Sequence, residues 1–533
     1  MKNSHFLCLL EITYFSLLFA QVSFGATPVW EIASRQASPT ILSAAKNPDG
    51  FRLAFEAPPG NYTLERSINL QTWASLGGLG ISAGSGLFTD VGALTLDRAF
   101  YRIAGSFEEV PMGIIGFSSK VASGGMVGGP SYGGLWTGHS FQNFVLQRGN
   151  STDALLRFSS AWATESRVET MSDLPMLAAW VEKWNEDQAL PTAVTPNGLS
   201  VDLGEDQLEL ISLEGGDYSW VGLLKDENSV VDNDYQETSL QIEMPVILAK
   251  SRNASSVAMD GNWGLVRIMT DATSSEITYA GAAYPVTFSA GATQLDFSQF
   301  MDFEIEQYLP SGGLAHFSNM GSESMSLATS VTADGAFHLL SPEGLEFTGR
   351  VSPSAKFLAA AASPMGLENL PDGASEAFLP NLEEVENQWL LGVKRTFSPD
   401  LAGKSYRIIR KGWWVEGQTF EIDASGTGDR LVFNSSGTSA MRSSEFNFSA
   451  VDFSGFLESS LPGEATIDQP MSVTVDERGQ IEMQASFEEE GDLVTIRSFG
   501  FAREGSDLLI LVVAIQDGSG GAGIGLIIAV REP

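Results

Sequence analysis

Cysteine is almost absent: Cys8, in the first ten positions, is the only one. The rest of the chain therefore cannot form a disulfide, bind metal through thiolates or use a thiol nucleophile. Histidine is nearly as scarce. His139, His316 and His338 are the only ones beyond the N-terminal segment, and no two stand at a zinc-ligating spacing. Nothing in their placement supports a zinc site or a Ser-His-Asp triad, and no metal or cofactor is expected. Positive charge is short too: Lys and Arg number 30 against 66 Asp and Glu, for a net charge of −36 and a pI near 4.3. Such a surface repels phosphate backbones and anionic lipid, so a nucleic-acid partner is not expected. Long apolar runs are missing beyond the N-terminus. Residues 508–515 fall well short of the ~18 needed for a spanning helix.

What is present begins with an export signal. Lys2 precedes a largely apolar run over 6–20, and Ser23 and Gly25 supply small residues at −3 and −1 of a cleavage after Gly25. A signal peptide over 1–25 places the protein outside the cytoplasm, whether secreted, periplasmic or on the cell surface. Its removal would take Cys8 with it, and no membrane span is expected in the remainder. A chain with 43% apolar residues can build its cores without disulfides.

After a lead-in without sustained period, Phe51-Arg52-Leu53-Ala54-Phe55 and Tyr62-Thr63-Leu64-Glu65-Arg66 alternate apolar and polar residues around the turn Pro58-Pro59-Gly60. Such alternation describes half-buried strands. With Leu70, Trp73, Phe88, Asp90 and Arg98-Ala99-Phe100-Tyr101-Arg102, the pattern resembles the fibronectin-like module of exported proteins from planctomycete-type bacteria. That resemblance implies an immunoglobulin-like sandwich over 27–105 with no catalytic role. Trp73 is read as a core plug.

The remainder repeats. Val194-Thr195-Pro196-Asn197-Gly198, Val331-Thr332-Ala333-Asp334-Gly335 and the segment from Val473 to Gly479 are each a strand, a turn and a second strand. Alternating segments follow at Gln207-Leu208-Glu209-Leu210, Leu345-Glu346-Phe347-Thr348 and Leu493-Val494-Thr495-Ile496. Hairpins come next, with Trp220-Val221-Gly222 set against Thr348-Gly349-Arg350 and Ser498-Phe499-Gly500. The copies close on residues 247–250, 391–394 and 528–531, and the starts of two match at 259–267 and 401–409. A period of about 140 residues makes each unit domain-sized rather than a solenoid turn. The expected architecture is all-β: three antiparallel barrels or sandwiches over 112–252, 256–396 and 400–533. This resembles tandem lipocalin-like barrel repeats of exported bacterial proteins. One helix is expected over 173–190, where Pro175 suits a first turn and Met176, Leu177, Trp180 and Trp184 share a helical face. Shorter helices are expected at 297–309 and 451–461.

Few residues point to chemistry. Asp226, Glu227, Asp232 and Asp234, and the segment from Asp423 to Asp429, have oxygen ligands suited to calcium but lack an EF-hand pattern, so they read as solvated turns. Trp413-Trp414 is the notable pair. On a strand, one side chain points inward and the other outward. An outward Trp either packs between domains or stacks on a sugar, which makes Trp413 and Trp414 the candidate ligand-binding residues. The leading expectation is an exported, non-enzymatic binding or cell-surface structural protein with a glycan or protein partner. The alternatives are a carbohydrate-active enzyme with paired carboxylates and a lipophilic-ligand carrier with hollow barrels.

Overall fold

The computed structural model describes residues 40–532 apart from short connecting stretches, the longest being 363–375. The signal segment and the start of the lead-in lie outside the described residues. The described chain is almost entirely antiparallel strand, with a 3-10 turn at Val91–Thr95 and no α-helix. It divides into two compact units. One comprises residues 1–112, 143–161 and 184–210, the other 113–142, 162–183 and 211–533.

The first unit holds a six-stranded sandwich. One sheet runs Thr40–Asn47, Gly50–Glu56, Ser85–Asp90, and the other Ala74–Ile81, Gly60–Ser67, Phe100–Ala104. The alternation read at 51–55 and 62–66 puts Leu53 and Leu64 fully inside, both at 0% exposure. Phe51 stacks on Tyr101 from the opposite sheet at 5.5 Å between ring centres. Asp90 also ties the sheets together. It accepts from Arg66 at 2.8 Å and from the Tyr101 hydroxyl at 3.0 Å. Trp73 is half-buried under the Arg102 guanidinium, 4.2 Å from its ring centre. In the same unit, Gln188–Thr195 pairs with the strand opening at Asp153 and with Gly198–Asp202.

The second unit contains two closed eight-stranded antiparallel barrels. The first closes where Gly261–Thr273 meets Glu384–Lys394, with Leu265 opposite Gly392. The second closes where Ser405–Glu416 meets Ala522–Arg531, with Ile409 opposite Ile528. Joining first strand to last removes the free edges that a chain this rich in β would otherwise expose.

The two barrels are copies in backbone detail. Thr332 and Asp476 each open the turn after the matched strands, and their amides donate to Ala336 O at 2.9 Å and Gln480 O at 3.0 Å. Ser352 and Arg503 open the next matching turn, donating to Phe357 O at 2.8 Å and Leu508 O at 2.9 Å. Inside that turn Ala355 and Ser506 both adopt left-handed backbone, with φ of 53° and 52°. A non-glycine residue held there in both copies marks a shared turn geometry rather than local accident.

Three sequence expectations change. The Leu213 amide donates to Ser219 O at 2.8 Å, the bond equivalent to Ser352–Phe357 and Arg503–Leu508. Ser219–Gly222 therefore corresponds to Phe357–Ala362 and Leu508–Gln516, one strand later than the matching of Trp220 with Thr348 and Ser498 proposed. The helix expected over 173–190 is absent. Leu174–Trp184 is a strand, and Trp180 sits opposite Phe378. Residues four apart, such as Met176, Trp180 and Trp184, fall on one face at a period of 3.6 and equally at a period of 2, so strand pairing decided between the two. The shorter helices at 297–309 and 451–461 are likewise replaced by strands, Met301–Tyr308 and the start of Phe456–Val475.

Burial separates into two kinds of core. Among the described residues each barrel interior holds an apolar core, one around Trp263, Phe288, Phe337 and Leu358, the other around Tyr406, Phe433, Met471 and Leu511. A third cluster lies outside both barrels. It is made of outward-facing residues from 115–117, 211–248 and the opening and closing strands of the two barrels. Along Leu508–Gln516, Leu509, Leu511 and Val513 point into the barrel while Leu508, Ile510, Val512 and Ala514 point into the shared cluster. This strand is apolar without alternation because both of its faces are buried. The apolar run at the chain's end thus serves two cores, its own barrel interior and the shared cluster. Close approach needs glycine: a Cβ on Gly264, on the first barrel, would stand 2.0 Å from Phe501 Cγ of the second.

Candidate functional site

Ser405–Glu416 carries the sequence's candidate pair, and alternation sends the two tryptophans to opposite sides. Trp413 faces the shared cluster and is 2% exposed. Its ring meets Phe117 edge-on at 5.3 Å and Tyr279 at 5.4 Å, and Phe117 stacks on Trp389 at 4.9 Å. Trp413 Nε1 donates to Ser119 Oγ at 3.2 Å. Four aromatic rings from 113–126, the first barrel and the second barrel thus meet at one point. Offset and edge-on pairs of this kind contribute ~0.5–1.5 kcal/mol each beyond the area they bury.

Trp414, on the other face, is partly buried. It lies over backbone that bears no side chain: a Cβ on Gly521 or Gly523 would stand 2.4 Å and 2.8 Å from its ring. Of the pair, only Trp414 retains exposure.

Charge is also buried in the shared cluster. Lys411 is 0% exposed, donates from Nζ to Phe117 O at 2.8 Å and sits 4.2 Å from the centre of the Phe117 ring. Burial pushes its pKa well below the ordinary lysine value, and Glu243 opposes that shift. Arg503 is 3% exposed, donates to Leu213 O at 2.9 Å and pairs with Asp507 at 2.7 Å. The Tyr279 phenol, wholly enclosed, is raised well above its usual value by burial.

Other sequence candidates fall elsewhere. His338 lies on the outside of the first barrel with Nδ1 3.5 Å from Glu346. Asp226, Glu227 and Asp232 occupy a strand, Leu224–Asp232, paired with Tyr235–Ala249, rather than a loop. Asp429 is 1% exposed. Among the described residues no group of three His, Asp, Glu or Cys converges as metal ligands. No described helix is long and apolar enough to cross a membrane. The buried carboxylates among described residues are Asp90, Glu243 and Asp429, and Asp90 is engaged by Arg66 and Tyr101. Sequence reading missed Lys411. Its one signal is a cation between Ile409 and Trp413 on a strand whose same-face neighbours are apolar.

No protein-family description matches the chain, and no curated protein matches it. Among solved structures, a transferrin binding protein B from Haemophilus parasuis is similar over 93% of this chain and 99% of that one, at 6% identity and a TM-score of 0.24. The isotype 1 transferrin binding protein B of Neisseria meningitidis is similar over 90% and 85%, at 9% identity and a TM-score of 0.23. OccK2 of Pseudomonas aeruginosa is similar over 79% and 97%, at 10% identity and a TM-score of 0.14. At these scores none of them defines a family for this chain, and neither the fibronectin-like module nor a planctomycete-type source is supported by a match.

Proposed function

We propose that the chain is an exported, non-enzymatic binding or cell-surface structural protein, whose tandem β repeats act as one scaffold and whose partner is a protein or glycan outside the cytoplasm. The observation that carries this reading is the shared core. Trp413, Lys411 and Arg503 each join separate parts of the second unit. The apolar side chains packed inside both barrels weigh against the hollow-carrier alternative among the described residues. The immunoglobulin-like character of the N-terminal sandwich and the export signal belong to the same reading. Of the candidate pair, Trp414 is the residue left to face a ligand.

The test joins three measurements: labelling of the protein on intact cells, glycan-array binding of wild type and Trp414→Ala, and a panel of polysaccharides incubated with purified protein. The reading expects surface labelling and no cleavage. Glycan binding that survives Trp414→Ala would remove the stacking role. Cleavage abolished by substituting a pair of carboxylates would replace the whole reading with the enzymatic one.

A further inference from the structure

Lys411 is a full charge placed where the fold has least use for one. Its strand neighbours on the same face, Ile409 and Trp413, are in the shared apolar cluster, as are Ala424 and Leu526, which stand opposite it on the two flanking strands. An ammonium has three donors. Among the described residues the amine finds one acceptor, Phe117 O, and one ring face, that of Phe117. Both belong to residues 113–126, so the amine bridges that segment to the opening strand of the second barrel.

We infer that Lys411 makes the docking of residues 113–126 onto the second barrel proton-sensitive, tight when the amine is neutral and looser when it is charged. This goes beyond the scaffold reading, because it holds whatever the scaffold binds. A neutral amine donates to a carbonyl and rests on a ring at little cost, whereas an ammonium there exchanges its water for one hydrogen bond, the Phe117 ring face and the charge of Glu243, which burial outweighs. The titratable groups around it are few. Glu243, 3% exposed, favours the charged form but does not outweigh burial. The Tyr279 phenol touches Trp413 and stays protonated because burial raises it. Ser119, bonded to Trp413, does not titrate. The sign follows from linkage. A lysine that is depressed when docked and ordinary when released binds fewer protons in the docked form, so docking strengthens as pH rises toward the ordinary lysine value. As pH falls from there, opening grows by about tenfold per pH unit until the docked pKa is reached, then levels off.

The experiment uses the full chain. Hydrogen exchange at the amides of residues 113–119 is followed against pH as protection factors, for wild type and for Lys411→Met, which keeps length without charge. Wild type should lose protection by about tenfold per pH unit on falling through the window, while Lys411→Met stays flat. An identical pH profile in the two proteins would overturn the inference. If Lys411→Met does not fold, nitrogen-detected NMR of lysine Nζ in wild type decides. Burial also depresses Lys250, so a lysine that titrates well below the rest and persists in Lys250→Arg supports the inference, and no such lysine in that variant overturns it.

Discussion

At the scale of single residues, Trp413 and Gly264 show how tightly the second unit is joined. Trp413 fills the meeting point of Phe117, Tyr279 and its own barrel, so Trp413→Ala leaves a cavity and an unpaired Ser119 hydroxyl. The expected loss is about 3–5 kcal/mol, read from urea unfolding, and Trp414→Ala should cost clearly less because that ring is only partly enclosed. Gly264→Ala would drive a methyl into the Phe501 ring. The expected cost is about 1–3 kcal/mol, with part recovered in Gly264→Ala/Phe501→Leu. A purely local backbone effect would show no such recovery. The tyrosines set a pH limit. Burial raises Tyr406, with Asp507 and Asp400 adding to it and Arg531 opposing, and burial alone raises Tyr279. Both hold their protons in the folded state beyond the pH at which an unfolded tyrosine ionises. Their contribution to stability should therefore fall as pH rises above about 10, opposite in sign to that of Lys411. The difference in urea midpoint between wild type and Tyr406→Phe, followed across about pH 9 to 11, leaves out the lysine and should shift against wild type as pH rises.

At the scale of elements, the strand Leu508–Gln516 is informative. In an isolated barrel only its inward residues would resist substitution. Here Ile510 and Leu511 face different cores and each is 0% exposed. Ile510→Ser and Leu511→Ser should therefore destabilise to a similar extent, on the order of 2–5 kcal/mol each. A surface-like response at Ile510 would mean that the outer faces do not pack in solution. The strands were legible in the sequence wherever one face is wet, as at 51–55 and 493–496, because alternation then reports burial directly. They were harder to place where both faces are buried, and at Leu174–Trp184, where a spacing of four satisfies helix and strand alike. The one-strand slip in matching Ser219–Gly222 has a similar origin. Strand grammar repeats every few residues, and only the turn bond from Leu213 to Ser219 fixes which strand is which.

At the scale of the molecule, the residues of the shared core come from segments more than 400 positions apart, from Ile115 to Val530. Neither barrel can unfold without exposing the outer face of the other. Calorimetry of the full chain should show residues 211–533 melting in one transition rather than barrel by barrel, with hydrogen exchange assigning the signal. Truncation before Ser405 should leave the outer faces of the first barrel uncovered and the product aggregated.

The sequence alone determined the β class, the duplication of a domain-sized unit, the scarcity of cysteine, the excess of acidic over basic residues and the opposition of Trp413 to Trp414. These follow from composition and from short-range period, which act within a few residues. The tertiary structure decided which side of each barrel is wet, that Trp413 joins domains, and that Lys411 is enclosed. Those outcomes depend on what stands across an interface. A strand facing water and a strand facing another barrel obey the same backbone geometry, and they differ only in neighbours that lie hundreds of residues away.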